Sequence, residues 1–174
     1  MLLADAALGL PDFRAAERTY QLLTQVSGRA GRGEGLGEVI IQTVRPEHYA
    51  IATAAAHDEK GFYERELRAR RALRYPPFHV LAQVLSRASK PDKASLIARR
   101  AAEALRRHGG GRVQVLGPAP APIARLKGRY RMQLIARAVS RRRLGAALRG
   151  MLSEAESEGY HRDLVIDVDP VSLM

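Results

Sequence analysis

The sequence contains no cysteine, which excludes disulfides and any cysteine-ligated zinc site within these 174 residues. No apolar run reaches the roughly 18 residues that span a bilayer. No helix pattern joins a basic face to an aromatic-rich apolar face, so we expect no membrane partner. The five histidines show neither H-x-x-x-H nor H-E-x-x-H spacing, which argues against a zinc or nucleophilic site.

The phosphate-binding pattern G-x-x-x-x-G-K-[ST] is also missing, as is an acidic strand end of the Walker B type. The stretch His57-Asp58-Glu59-Lys60 is superficially similar to a magnesium-binding helicase box. No apolar strand precedes it, however, and acidic residues at a helix start are explained by the helix dipole. The chain can therefore supply only part of an ATPase site, and we expect it to be inactive as an ATPase alone.

Positive charge is abundant, with 29 lysines and arginines against 18 aspartates and glutamates, a net charge of +11. This balance predicts an anionic partner, nucleic acid before any other. Only Lys60, Lys90, Lys93 and Lys127 are lysines, a bias towards arginine that genomic base composition explains equally well. Hydrophobic residues make up 46% of the chain, enough for a folded core.

The first part of the chain alternates helix and strand patterns. Ala15 to Ala30 predicts a helix, because Tyr20, Leu23 and Val26 recur at helical spacing. Glu38 to Thr43 predicts a short strand, buried on both faces of a parallel sheet. Two helices follow, over residues 46–56 and 58–74, the second ended by Tyr75-Pro76-Pro77.

From residue 78 the pattern becomes regular. It predicts strands over 78–86, 112–116, 129–138 and 164–169, helices over 91–108 and 140–158, and a proline-rich loop over 117–123. Strand-helix-strand-strand-helix-strand is the ferredoxin-like order. The predicted fold class is therefore α/β followed by α+β, with a ferredoxin-like second domain.

The most informative segment is Gln25-Val26-Ser27-Gly28-Arg29-Ala30-Gly31-Arg32. Two arginines three residues apart lie on one helix face, and each directly follows a glycine, which lets the backbone approach another surface closely. Guanidinium groups suit phosphate oxygens and can neutralise a transferring phosphoryl group. An ordinary helix end, where cations favour the dipole, is the alternative interpretation.

The pattern Q-x-x-G-R-x-G-R resembles the last helicase motif of superfamily 2 helicases and translocases. Further stretches resemble the C-terminal third of the PriA family of primosomal replication-restart helicases. These stretches are residues 4–18, Gly37 to Thr43, Tyr75-Pro76-Pro77-Phe78, Leu116 to Pro122, Gly128-Arg129-Tyr130-Arg131 and Asp167-Val168-Asp169-Pro170.

The resemblance implies a division into three parts. Residues 1–45 would be the incomplete C-terminal end of the second RecA-like helicase lobe, 46–76 a helical connector, and 77–174 a ferredoxin-like DNA-binding domain. The family binds ATP with Mg²⁺, mainly through its N-terminal part. It also carries zinc on an upstream cysteine insertion, so we expect this chain to be a fragment that begins after that insertion.

The resemblance also assigns roles to residues. Arg29 and Arg32 would be catalytic, reaching the γ-phosphate of ATP from across a cleft, with Arg32 the main arginine finger. Gln25 and Gly28 would join them in binding the nucleotide. Asp5 would couple the nucleotide cleft to the DNA groove, or simply cap its own loop.

The second domain carries a candidate DNA-binding surface. Arg125, Lys127, Arg129 and Arg131 alternate along the chain, which predicts one shared face. Arg141, Arg142 and Arg143 open a helix, where cations are unfavourable for the dipole unless an anion compensates them. We assign Arg142 and Arg143 to DNA. In the family a basic residue near this domain receives the acidic tail of single-stranded DNA-binding protein, and we assign that role to Arg141.

The resemblance thus implies a part of an ATP-dependent 3′–5′ DNA helicase of replication restart. Its partners would be forked and single-stranded DNA, single-stranded DNA-binding protein and other primosome proteins, in the cytoplasm at the nucleoid. Two alternatives remain open: a stand-alone basic nucleic-acid-binding module without ATPase activity, and a ferredoxin-like ribosomal or RNA-binding protein.

Overall fold

A computed structural model describes residues 4–30 and 38–174. The chain divides between Leu73 and Arg74 into two units. Helices dominate the described residues of the first unit, whereas the second contains a four-stranded antiparallel sheet and two long helices. The structure is therefore α+β, and the predicted three-part division of the chain stays a prediction.

The described part of the first unit contains four helices: α1 (Asp5–Leu8), α2 (Ala15–Ala30), α3 (Tyr49–Ala55) and α4 (Glu59–Leu73). The prediction for α2 is confirmed. Helix α3 begins three residues later than predicted, because the ring Nδ1 of His48 accepts a hydrogen bond from the Ala50 amide at 3.2 Å and caps the first turn.

The strand predicted over Glu38 to Thr43 is wrong for the part of the chain that the structure describes. Only Gln42 forms a bridge, accepting a hydrogen bond from the Ala4 amide at 3.2 Å. Ile40 is 76% exposed. A buried parallel strand needs sheet neighbours on both sides, and the described residues of this unit provide only the contact with Ala4.

The core of the first unit is built on Phe62, which is 1% exposed. Its ring stacks on that of Tyr20 of α2 with the centroids 3.9 Å apart, and the ring centroid of Tyr49 of α3 lies 6.0 Å from that of Phe62. Leu23, Ile51 and small alanines complete the cluster. Burial of these aromatic and aliphatic surfaces holds α2, α3 and α4 together.

A chain of charged groups also links these helices. Arg70 of α4 contacts Glu17 of α2 and Glu66 of its own helix, each at 2.6 Å. The hydroxyl of Tyr49 donates to the other oxygen of Glu66 at 2.5 Å. The guanidinium of Arg14, and with it that of Arg70, lowers the pKa of Glu17 to about 2 against the opposing effect of burial.

The second unit follows the predicted order: β1 (Val80–Ala88), α5 (Pro91–Gly109), β2 (Gln114–Leu126), β3 (Arg129–Ala138), α6 (Arg141–Ser157) and β4 (Leu164–Val168). A short 3₁₀ turn over His161–Asp163 precedes β4. The strands lie in the order β2-β3-β1-β4, with every neighbouring pair antiparallel.

Both long helices cover one face of this sheet. Alternate residues of β1, including Ala82 and Val84, pack with Leu105 of α5 and with Leu148 and Met151 of α6. The residues between them point to the opposite face. That second face is open beside the β2–β3 turn, whereas further along β1 the carbonyl of Leu173 accepts a hydrogen bond from Gln83 Nε2 at 2.9 Å.

The predicted loop over 117–123 is instead part of β2. β2 is an edge strand, and prolines that cannot donate to a ladder are tolerated at a sheet edge. The pairing with β3 shifts register twice, between Leu116 and Ala119 and between Pro120 and Arg125. Proline and glycine therefore mark irregularities within this strand rather than its end.

Candidate nucleic-acid interface and arginine-bearing helix end

The last turns of α2 carry three of the predicted nucleotide-contacting residues. Gln25, Gly28 and Arg29 are all exposed, and their spacing of three and four residues places them on neighbouring positions of the helix surface. The buried positions Tyr20 and Leu23 face the core instead. Arg32, the predicted main finger, lies outside the described residues.

Gly28 has no packing partner that would require a glycine. A β-carbon built there meets no atom within 4 Å among the described residues. Glycine inside a helix costs about 1 kcal/mol relative to alanine. Contacts within the described chain therefore do not account for this glycine, whereas close approach of a surface outside it would.

Asp5 joins two segments of the first unit. Its carboxylate accepts hydrogen bonds from the Thr43 hydroxyl at 2.8 Å and from the Val44 amide at 2.9 Å. The Val44 amide is the main cause of the lowered pKa of Asp5. This geometry is that of a carboxylate that organises its own loop.

The predicted basic strand surface is only partly on one face. A two-residue turn, Lys127-Gly128, joins β2 to β3 with φ values of 48° and 77°. It places Leu126 opposite Arg129 and Arg125 opposite Tyr130. Arg129 and Arg131 therefore share a face, as expected, but the expectation that Arg125 joins them is wrong.

Arg125 instead lies over the ring of Tyr130, 5.1 Å from its centroid, on the opposite face of the hairpin. The alternation that predicted a single face holds along one strand but restarts across a turn. Tyr130 and Met132 lie on the face of β3 opposite that of Arg129 and Arg131.

On the open face of the sheet lies a cavity of about 380 Å³, which we call the cationic pocket. It is lined by Leu85, Arg87, Leu126, Lys127, Arg129, Arg131 and Val165. Four cations thus surround a floor of aliphatic side chains. Its lining contains no carboxylate, although Asp163 lies 3.6 Å from the Arg129 guanidinium.

The N-terminus of α6 forms a second basic cluster. Arg141, Arg142 and Arg143 are exposed, and the Ser140 hydroxyl caps the helix by accepting from the Arg143 amide at 3.4 Å. Arg141 forms an ion pair with Asp169, which follows β4. No carboxylate of the described chain forms an ion pair with Arg142 or Arg143.

The two basic clusters are separate. Arg129 begins β3 and the α6 arginines follow its end, so a ten-residue strand lies between them. At a rise of about 3.3 Å per residue this separation is roughly 30 Å. The structure therefore does not bring the predicted DNA-binding residues together at one point.

Within residues 4–30 and 38–174, no three histidine, aspartate or glutamate side chains cluster in a way that could hold a metal ion. In the same ranges no helix is both long and apolar enough to cross a membrane.

Comparison with known proteins gives a consistent result. Residues 71–171 match the family described as primosomal protein N C-terminal domain. Along its whole length the chain is 43% identical to the replication restart protein PriA of Bacillus subtilis, covering 22% of that protein. Over 98% of the chain it is 39% identical to PriA of a Synechocystis species, covering 20% of it. PriA of Haemophilus influenzae is 37% identical over 97% of the chain and is covered to 23%.

The chain belongs to the PriA family. It matches the C-terminal part of PriA and spans about a fifth to a quarter of these relatives' length. The domain match contains both basic clusters, and the longer PriA alignments also contain the arginine-bearing end of α2. The resemblance stated from the sequence is thus confirmed.

Reasoning from the sequence missed Arg87 and the aliphatic floor of the pocket. The predicted strand ended at residue 86, but β1 continues to Ala88. Leu81, Gln83, Leu85 and Arg87 share one face of that strand. Continuing the alternation one step further would have placed Arg87 on the same face of β1 as Leu85.

Proposed function

We propose that the chain is the C-terminal portion of an ATP-dependent 3′–5′ DNA helicase that recognises stalled or forked replication structures and promotes primosome assembly at the nucleoid. Residues 1–45 would end the second RecA-like lobe, and 77–174 would be a ferredoxin-like DNA-binding domain. The names of the PriA relatives and the strand order β2-β3-β1-β4 support this assignment.

The observation that carries the DNA-binding role is the pair of basic clusters at opposite ends of β3. Each presents guanidinium groups that form no ion pair with a carboxylate of residues 4–30 or 38–174, chiefly Arg87 and Arg131 at one end and Arg142 and Arg143 at the other. Their separation of roughly 30 Å corresponds to about nine base pairs of duplex. Such spacing suits a partner that offers phosphates in two places, as forked DNA does.

The proposed role of α2 is to complete an ATPase site whose phosphate-binding loop and Mg²⁺ ligands belong to another part of the protein. Arg29 and Arg32 would stabilise negative charge on the γ-phosphoryl group as it passes to water. The exposed Gln25 and the unobstructed backbone at Gly28 allow a second lobe to approach that helix end closely. A closed interface also excludes bulk water from the site, apart from the attacking water molecule.

Arg141 is the proposed receptor for the acidic C-terminal tail of single-stranded DNA-binding protein. It is 70% exposed at the start of α6, where an additional anion also improves the interaction with the helix dipole. Other primosome proteins would bind elsewhere on the longer protein.

The DNA-binding proposal is tested by measuring fluorescence anisotropy of labelled forked DNA, single-stranded DNA and structured RNA with the 174-residue chain. We expect binding to forked and single-stranded DNA, with affinity falling steeply as salt rises. The double variant Arg142→Gln/Arg143→Gln should weaken fork binding. It should also reduce the magnitude of the slope of log affinity against log salt concentration by about two. Arg99→Gln/Arg149→Gln is the control, because it removes two exposed helix arginines outside both clusters.

Equal losses in the two double variants would mean that only net charge matters, and a preference for structured RNA would favour the RNA-binding alternative. A stand-alone binding module remains the second candidate, because the sequence lacks a phosphate-binding loop. It predicts that replacing Arg29 or Arg32 leaves the ATP turnover of a chimera that supplies the missing phosphate-binding loop unchanged.

A further inference from the structure

Arg87 and Arg131 lie directly opposite each other on the neighbouring antiparallel strands β1 and β3. Directly opposed side chains of such strands have β-carbons about 5 Å apart, and like charges at that position destabilise the pair. Neither arginine forms an ion pair with any carboxylate of the described residues. The fold thus retains a close pair of cations that it does not neutralise itself.

The polar atoms of these arginines are also incompletely satisfied. Arg87 Nε is buried and has no hydrogen-bond partner among the described residues. Arg131 makes one long hydrogen bond, from Nη1 to the carbonyl of Ile123 at 3.4 Å. Buried donors without acceptors cost free energy, so this end of the pocket favours an acceptor supplied by a ligand.

Phosphate is the ligand chemistry that suits this arrangement. Two guanidinium forks can each donate to more than one phosphate oxygen, and Lys127 at the adjacent turn adds a point charge. Arg129 contributes less, because Asp163 lies 3.6 Å from its guanidinium. The positive electrostatic potential in the pocket is therefore highest between Arg87 and Arg131.

The pocket is larger and more apolar than a phosphate ion requires. Its volume of about 380 Å³ lies in the range of small-molecule sites. Leu85 and Val165 are register partners on β1 and β4 and form the floor next to the arginine pair. One step further along the same face, on the side away from the arginine pair, Gln83 pairs with Asp167, so the aliphatic floor ends at a carboxylate.

We propose that the cationic pocket binds one unpaired nucleotide of a DNA strand, with its phosphate between Arg87 and Arg131 and its base against Leu85, Leu126 and Val165. This assignment deepens the DNA-binding function proposed above and depends on it. A base within a duplex is stacked and paired, and removing it costs several kcal/mol. The pocket therefore selects single-stranded DNA or the unpaired nucleotide at a fork.

The contacts with the base are aliphatic, so they distinguish poorly between bases. No aromatic side chain lines the pocket, and the base-edge donors and acceptors find few partners on such a floor. Sequence-tolerant binding is the result that phosphate contacts and apolar packing produce together.

The test uses the complete 174-residue chain and two probes, thymidine 5′-monophosphate and inorganic phosphate, followed by nuclear magnetic resonance. The mononucleotide should shift the Nε–H signal of Arg87 and the methyl signals of Leu85 and Val165. Inorganic phosphate should shift the arginine signal but leave the methyl signals in place. If both probes act alike on all three residues, or the mononucleotide leaves the methyl groups unaffected, the nucleotide assignment is wrong.

The second arm measures binding of a labelled deoxythymidine oligonucleotide to Arg87→Gln, with Arg99→Gln as a matched loss of one exposed arginine. We expect Arg87→Gln to weaken binding about tenfold. The magnitude of the slope of log affinity against log salt concentration should fall by about 0.7. The melting temperature of this variant should equal or exceed that of the unmodified chain, because a like-charge pair is removed. Arg99→Gln should change binding by less than about twofold.

The outcomes separate this assignment from the proposed function. If the unmodified chain binds the oligonucleotide and both variants bind equally well, the pocket is not the site, while DNA binding itself stands. If the unmodified chain binds no DNA, the proposed function falls and the nucleotide site falls with it.

Discussion

The carboxylate of Asp169 forms an ion pair with the guanidinium of Arg141, the residue to which we assign an acidic protein tail. The pair is solvent-exposed, with Arg141 70% and Asp169 34% accessible. Exposed pairs contribute only about 0–1 kcal/mol. An incoming carboxylate can therefore replace Asp169 at little cost, so the internal pair occupies the site without blocking it.

The first prediction concerns this exchange. Asp169→Asn should increase affinity for an acidic C-terminal peptide of single-stranded DNA-binding protein by about two- to fivefold, because the internal competitor is removed. Asparagine tolerates the positive φ of 54° at this position, so the backbone should keep its course. Isothermal titration calorimetry measures the change.

Arg141→Ala should abolish the gain from Asp169→Asn, since both act through one contact. Asp163→Asn is the control, because Asp163 pairs with Lys93 and Arg129 rather than with Arg141. Equal affinities for Asp169→Asn and the unmodified chain would show that the peptide does not bind at Arg141.

The second prediction concerns acid stability of the first unit. The folded-state pKa of Glu17 is lowered to about 2 from an ordinary value of 4.5. The stability from its pairs with Arg14 and Arg70 is therefore present above about pH 4.5 and is lost as the pH falls towards 2. We expect a loss of about 1–2 kcal/mol, well below the full value of the shift, because the pairs are partly solvated.

Thermal unfolding followed by near-ultraviolet circular dichroism, to which Tyr20 and Tyr49 contribute, would measure this loss. Glu17→Gln should lower the melting temperature at neutral pH and remove most of the pH dependence over this range. A variant with an unchanged pH profile would mean that Glu17 is not the responsible carboxylate.

Helix periodicity and strand alternation were sufficient to predict much of the fold. The bounds of α2 and β3 agree with the sequence patterns. The proline-rich part of β2 was missed, since proline normally signals a loop and only the sheet order reveals an edge position. The strand at Glu38 to Thr43 was overpredicted, because an apolar run does not show whether neighbouring strands exist.

The candidate site was harder to predict than the fold, because it depends on how the strands pair. The arginines of the β2–β3 hairpin were visible in the sequence, but their faces depend on a two-residue turn that restarts the alternation. Arg87 lies 44 residues before its register partner Arg131. No local pattern could bring these two residues together, because their pairing is determined by the antiparallel register of β1 and β3.

The third prediction compares two arginines of that hairpin. Arg131→Ala should weaken binding to single-stranded DNA by about tenfold, because it removes one side of the cationic pocket. Arg125→Ala should weaken it by less than about threefold, since Arg125 lies over Tyr130 on the opposite face. Both variants lose one charge, so they form a matched pair for anisotropy measurements. Equal losses would indicate that DNA contacts both faces of the hairpin.

The fourth prediction concerns Arg29 and Arg32 and needs a protein with a complete ATPase site. A chimera in which this chain replaces the matching 22% of Bacillus subtilis PriA is suitable, because the two are 43% identical over that region. Arg32→Ala should reduce DNA-stimulated ATP turnover by about 10³-fold, as expected for an arginine finger. Arg29→Ala should reduce it as well, but less.

Affinity for DNA should remain within about twofold in both variants, because the basic clusters of the second unit are unchanged. Arg68→Ala is the control, since Arg68 is an exposed arginine of α4 away from the helix end. A drop in kcat with little change in KM for ATP would indicate that the guanidinium acts on the transition state rather than on bound substrate. Normal turnover in Arg32→Ala would leave the nucleic-acid-binding module as the remaining interpretation, because the glycine–arginine helix end would then have no part in phosphoryl transfer.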